Sequence, residues 1–312
     1  MIFIFIFFFS IIFNYDKTIN SVYSALEVWL YNIYPSLFLL YIVSFYFIQN
    51  KLFNKFSLIL KPFISFEYNK SYSIILTSVI LGNPGTINLA KVNYKDNNIS
   101  YNDYKKIIYL SIFMNPLFVI SVLDFKLYIY YLISSLITVF IFDKFKRLNK
   151  KNINGNNFIY TYQSFISSIT SIINVLLMVA CLSVLFSVLK ESISFLLYKV
   201  NINLDILLSF LEISTGLKYL ASNNQLILSI FLIAFQGLCI IIQSFSIIKD
   251  TSISFIKYIF IRLIQAIITT LIFFLIYSCF SSSSNELFYH FKIFANFHIP
   301  FNVMAYNNCT FI

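Results

Sequence analysis

LGNPGTINLAK, from Leu81 to Lys91, sets Gly82, Pro84 and Gly85 inside a stretch that is otherwise apolar enough to lie in a membrane. Unwound backbone at membrane depth leaves N–H and C=O groups that lipid cannot satisfy, so it persists only where protein, water or a solute supplies partners. A second interruption, EISTGLKYLA from Glu212 to Ala221, sets Gly216 and two charges into another apolar run. Paired broken segments in the two halves of a membrane protein point to a solute site between them.

Composition supports that class. The chain has 312 residues, 59% hydrophobic and 11% charged, with a mean hydropathy of +0.82, whereas a soluble chain of this size carries about 25% charged residues. The reading is all-α: a polytopic transmembrane helical bundle of about seven to nine spans plus two re-entrant or broken segments. The abundance of Phe, Ile, Tyr, Asn and Lys follows AT-rich coding, which erodes small-residue motifs. A net charge of +10 is consistent with nucleic acid or anionic lipid, but the basic residues cluster in short loops, as topology signals do. No nucleic-acid partner is expected, and the bilayer is.

Cys181, Cys239, Cys279 and Cys309 have no paired spacing and read as small apolar fillers, while His290 and His298 lie in a polar tail. No metal or cofactor is expected. Enzyme chemistry lacks a nucleophile motif, a metal-ligand pair and a phosphate loop, so no catalytic residue is assigned. An intramembrane enzyme would have to work with Glu212 and amides alone.

The chain divides into an N-terminal apolar helix (1–20), a first half (21–142), a basic cytoplasmic linker (143–163), a second half (164–280) and a tail (281–312). Met1 to Phe13 is a short first helix. Spans follow at Ser24–Ile48, Ile107–Leu123 and Leu127–Phe142, then at Phe165–Leu189, Leu226–Ile248 and Tyr258–Tyr277, with the broken segments at Tyr72–Ala90 and Leu204–Ala221. Loops 50–71, 91–106, 143–163 and 249–257 hold fifteen basic residues against five in loops 14–24, 124–126 and 190–203 and the tail. Lys and Arg are retained on the cytoplasmic side, which puts the N-terminus in the cytoplasm of a multi-pass cell-membrane protein. Both flanks of the Gly82 segment then fall on one side and both flanks of the Gly216 segment on the other. The two halves form an inverted-topology repeat.

Gly82, Asn83, Pro84 and Gly85 free backbone carbonyls before the first break and N–H groups after it. The helix starting near Thr86 directs its positive end inward, where an anionic or polar solute is held with help from Thr86 and Asn88. An ordinary loop between two short helices is the alternative. Asn115 breaks the next span before Pro116. In the second segment Glu212, Ser214, Thr215, Gly216 and Lys218 gather polar groups at membrane depth, although Glu212 and Lys218 also fit an interfacial position. Gln236 and Gly237, with Gln243 two turns on, offer amides to a solute or, equally, to a neighbouring helix.

SALEVWLYNIYPSLFLLYIV (Ser24 to Val43), the Gly82-x-Pro84 turn and Asn115-Pro116-Leu117-Phe118 resemble the sporulation integral membrane proteins of the YlbJ type, within the nucleoside-recognition or Gate-domain membrane proteins. LEISTGLKYL (Leu211 to Leu220) is similar to that family's Glu-x-x-x-Gly element, and FQGLCIIIQ (Phe235 to Gln243) to its Gly-Gly-Leu…Gln element. The resemblance runs from about residue 20 to 278. Two positions depart from it: Asn83 stands where the family more often has an aromatic residue, and Gln236 where it usually has glycine. Gly85 also arrives one position early.

The resemblance implies a spore-related carrier in the outer forespore membrane that moves a small anionic metabolite such as dipicolinate, with a nucleoside as second choice. Lys91 and Lys218 would then serve a dicarboxylate. The alternative of another class is a scaffold or signalling protein of spore assembly that transports nothing. A homo-oligomer or a spore membrane partner accompanies either reading.

Overall fold

A computed structural model describes residues 12–49, 60–144, 162–199, 204–249 and 251–280. The helix expected over Met1–Phe13, most of the 143–163 linker and the 281–312 tail lie outside the described residues.

Every regular element among the described residues is helical. Helix α1 (Tyr15–Val28) passes through a π-turn (Trp29–Ile33) into α2 (Tyr34–Gln49). Residues 14–24, expected as a loop, are therefore mostly helix. The π-turn sits where Pro35 withholds an N–H and crowds the carbonyl of Tyr31, the usual cause of a local widening. Trp29 anchors it by donating its indole N–H to Leu176 O at 3.0 Å.

Next come α3 (Asn69–Leu81), α4 (Gly85–Lys95), α5 (Tyr101–Leu110), α6 (Pro116–Val122) and α7 (Phe125–Lys144). The second half holds α8 (Tyr162–Lys199), α9 (Asp205–Leu208), α10 (Ile213–Ser222), α11 (Leu226–Phe235), α12 (Gly237–Ile248) and α13 (Phe255–Phe280). Among the described residues, five helical stretches are long and apolar enough to cross a membrane: Tyr15–Ile48, Phe125–Asp143, Phe165–Tyr198, Leu226–Ile248 and Phe255–Phe280. The span expected over Ile107–Leu123 is absent from them because residues 111–115 are extended.

Two long pairs flank the bundle. Helix α8 packs along α1 and α2, and α13 packs between α7 and α11. Both pairs run antiparallel. Phe45 stacks near Phe165 while Asn14 reaches Glu191, and Tyr130 meets Phe280 while Thr138 bonds Thr269 at 3.0 Å. Between the pairs lie the broken elements.

One end of the bundle is knotted by polar contacts. Lys106 pairs with Asp143 and donates to Ser65 O at 2.6 Å, and Ser65 N–H donates to Asp143. Asp103 accepts the N–H groups of Glu67 and Tyr68 and the Ser71 hydroxyl. Tyr101 and Lys105 bond Ser252, and Lys91 donates to Ile247 O at 2.6 Å. These bonds collect the start of α3, the start of α5, the end of α7 and the end of α12. The start of α3 also lies close to the end of α4: burial raises the Asp96 carboxyl above its ordinary pKa, and the charge of Lys70 acts against that rise. Helices α3 and α4 thus form a hairpin with both ends at one end of the bundle.

Candidate functional site

Four interruptions of the chain meet in the middle of this bundle. The first is the α3–α4 tip. Gly82 has φ of +67°, and a Cβ there would overlap the backbone N of Asn115, so both conformation and contact demand glycine. Asn83 and Pro84 follow, joined by a cis peptide.

The second interruption, residues 111–115, lies against that tip, and its free carbonyls are satisfied one by one. Asn83 Nδ2 donates to Ser111 O, and Asn83 N–H to Phe113 O at 3.2 Å. Gln236 Nε2 donates to Ile112 O at 2.9 Å and to Phe113 O at 3.3 Å. Just upstream, the last turn of α5 is capped from α13: Arg262 Nη2 donates to Ile108 O and Gln265 Nε2 to Tyr109 O, both at 2.8 Å. Arg262 is fully buried, and its partners are this carbonyl, Gln265 and Tyr258, with no carboxylate at ion-pair distance among the described residues. A cation at a helix C-terminus meets the negative end of the dipole.

The third interruption is the α9–α10 tip. Glu212 caps α10, accepting Ser214 N–H at 3.0 Å and Thr215 N–H at 2.7 Å. A Cβ on Gly216 would overlap Ser209 O, so the two arms approach too closely for any other residue. The fourth separates α11 from α12, where Gln236 is left-handed at φ +74° and Gly237 follows at +64°. Leu238 and Cys239 N–H groups, freed at the start of α12, donate to Phe210 O and Leu211 O of the α9–α10 tip. This break was expected to be a continuous span. A left-handed glutamine is held by its own side chain, whose carbonyl accepts from Asn83 Nδ2 at 3.2 Å.

A cavity of about 50 Å³ opens between the two tips, with Asn83, Pro84, Asn115, Glu212 and Gln243 in its wall beside Cys239. Five of the expected site residues therefore come together. The others take different places. Gly82, Gly85, Gly216 and Gly237 shape the turns, and Gln236 ties two breaks. Thr86 bonds back to Gly82 O, while Asn88 joins Tyr41 and Ser171. Thr215 accepts from Lys190 at 2.9 Å, and Lys218 is exposed. Lys91 reaches Ile247 O instead of the cavity.

The half-helix N-termini are filled by the protein itself. Asn115 Oδ1 accepts the N–H groups of Leu117 and Phe118, Glu212 caps α10, the α9–α10 tip caps α12, and Thr86 N–H of α4 donates to Gly82 O. Sequence reasoning missed Arg262 and Gln265, although an arginine within an apolar span is the kind of signal that finds such residues. It also missed Lys106 and Asp143.

Comparison with family models, curated proteins and solved structures finds no match for this chain. The reading of the site rests on its geometry.

Proposed function

We propose that this chain is a multi-pass membrane carrier that holds a small polar solute between the α3–α4 and α9–α10 tips. The observation that carries this reading is the cavity at the convergence of four chain breaks, walled by Asn83, Asn115, Glu212 and Gln243. Broken elements meeting at a polar cavity are how secondary transporters build a site at membrane depth. At about 50 Å³ the cavity has room for roughly three to five waters. That is too small for most organic solutes, so the tips must part to admit one.

An inverted repeat supports the reading. Helices α1–α2 correspond to α8, α3–α4 to α9–α10, α5–α6 to α11–α12, and α7 to α13. Under that correspondence the packing of α4 on α12 maps onto that of α10 on α6, while the α7–α13 and α2–α8 pairs map onto themselves. With α5–α6 as a broken crossing, the described residues make six crossings and two re-entrant hairpins. The described starts of α3 and α5 and ends of α7 and α12, which border the basic loops of the sequence, are bonded together at one end, which we assign to the cytoplasm by that charge. The spore context and the outer forespore membrane rest on the resemblance alone.

Flux of radiolabelled polar solutes into proteoliposomes tests the carrier. Saturable uptake that falls in Gln243→Leu, a change in the cavity wall that leaves the turn glycines in place, is the expected result. A protein that reconstitutes folded and moves none of them removes the reading and favours a scaffold.

A further inference from the structure

Resting on the carrier reading, we infer that the cavity selects a small organic cation bearing N–H donors, such as a primary ammonium, in preference to an anion. The argument is an account of which hydrogens and lone pairs around the cavity are already engaged. Asn83 gives one amide hydrogen to Ser111 O and the other to Gln236 Oε1, and these two acceptors fix the orientation of its amide. Asn115 Nδ2 is directed at Ser36 Oγ, whose own hydrogen goes to Asn32 O or Ile33 O. Ser183 donates to Ala180 O, and Gln243 Nε2 to Cys239 Sγ. Both amide hydrogens of Asn83 and the hydroxyl of Ser183 are in use, and Asn115 and Gln243 each commit one amide hydrogen.

Two acceptors are idle: Asn83 Oδ1 and Gln243 Oε1 are buried without a partner. Both residues are at most 3% exposed, so no bulk water replaces the missing bond, and a buried acceptor left unmade costs about 1–3 kcal/mol. Glu212 adds a carboxylate, 4% exposed, whose oxygens each take one backbone N–H and keep a further lone pair. No ion pair to Glu212 forms among the described residues. Lys190 sits beyond Thr215, offsetting this charge at a distance without contributing to the cavity wall. Ser214, free to donate or accept, suits either kind of ligand.

An anion entering here meets a wall that holds the Glu212 carboxylate and no cation, with two buried amide oxygens lacking partners in the same wall residues. An ammonium meets the same groups as complementary acceptors. The remaining wall is largely apolar, including Leu37, Met114, Phe118 and Ile240. Such a wall suits an alkyl group and cannot complete the oxygen shell of a bare metal ion.

Thermal unfolding of the full-length protein in detergent, at constant ionic strength, tests this with methylammonium, tetramethylammonium, sodium and dipicolinate. Methylammonium is expected to raise Tm saturably. Tetramethylammonium, which has the charge without the N–H donors, is expected to leave it unchanged, as are sodium and dipicolinate. Glu212→Gln should weaken methylammonium roughly ten- to hundredfold, the loss of a charged hydrogen bond. Gln243→Met keeps the volume and leaves the α10 cap intact, and should weaken it a few-fold; it serves where the Glu212 variant fails to fold. Saturable stabilisation by dipicolinate or by sodium, equal response to tetramethylammonium, or no response to methylammonium overturns the inference. Methylammonium binding without flux removes the carrier and leaves this site standing, whereas flux of an anion without methylammonium binding does the reverse.

Discussion

The α3–α4 hairpin has arms of 13 and 11 residues, and its root is held by the Asp103 acceptor set and the buried Lys106–Asp143 pair. The α9–α10 hairpin begins with a four-residue arm whose Leu207 is 62% exposed, and its tie to the neighbouring long helix is the bond from Lys190 to Thr215. Both tips reach the interior, although Phe210 and Leu211 are only half-buried where residues 81–90 are all buried. The first hairpin is thus tied at its root by side chains, whereas the second is tied at its tip, where Phe210 O and Leu211 O accept from α12.

Glycine substitutions give the largest effects and bear directly on this contrast. Gly82→Ala meets both a positive φ and the fixed backbone of Asn115, so it should abolish folded protein in detergent size-exclusion profiles. Gly216→Ala meets the Ser209 carbonyl and Leu232 Cδ2 at an ordinary φ, so it requires the short arm to shift, and should retain folded protein with a reduced Tm. Equal outcomes would erase the distinction between the hairpins. Lys106→Met comes next. Leaving Asp143 buried without its partner should cost about 3–5 kcal/mol, against about 1 kcal/mol or less for Lys190→Met, both read from denaturant or thermal melts.

Arg262→Gln should cost about 1–3 kcal/mol by leaving Ile108 O unsatisfied at the end of α5. The smallest effect expected is the coupling between Asn83 and Gln236. A cycle of Asn83→Leu, Gln236→Gly and the double variant should give about 1 kcal/mol. No coupling would show that the tips are held independently.

Much of this architecture was legible in the sequence. Gly82, Pro84 and Gly216 announced two breaks because nothing in a lipid-facing helix calls for them, and loop charges grouped four connections that the polar contacts do bring to one end. The break at Gln236 was not legible, because a glutamine in the left-handed region is stabilised by partners 124 and 153 positions away that no local pattern reveals. Asn83 and Gln236, which lie in different halves of the chain, are bonded to each other. Whether the half-helix N–H groups are free was not legible either. A half-helix start invites an anion only while its N–H groups are free, and here Asn115 and Glu212 have already answered them.

The outer pair carries a consequence for the surrounding lipid. Tyr15–Ile48 and Phe165–Tyr198 each run 34 residues, about 51 Å of helix, against a hydrocarbon thickness of about 30 Å. Even inclined at about 40°, near the limit of natural tilts, such a rod still rises about 39 Å. One end, where Tyr15 and Tyr198 are exposed, would then reach into the headgroup layer, so thinning or thickening the host membrane should bear on this arm before any other part of the protein.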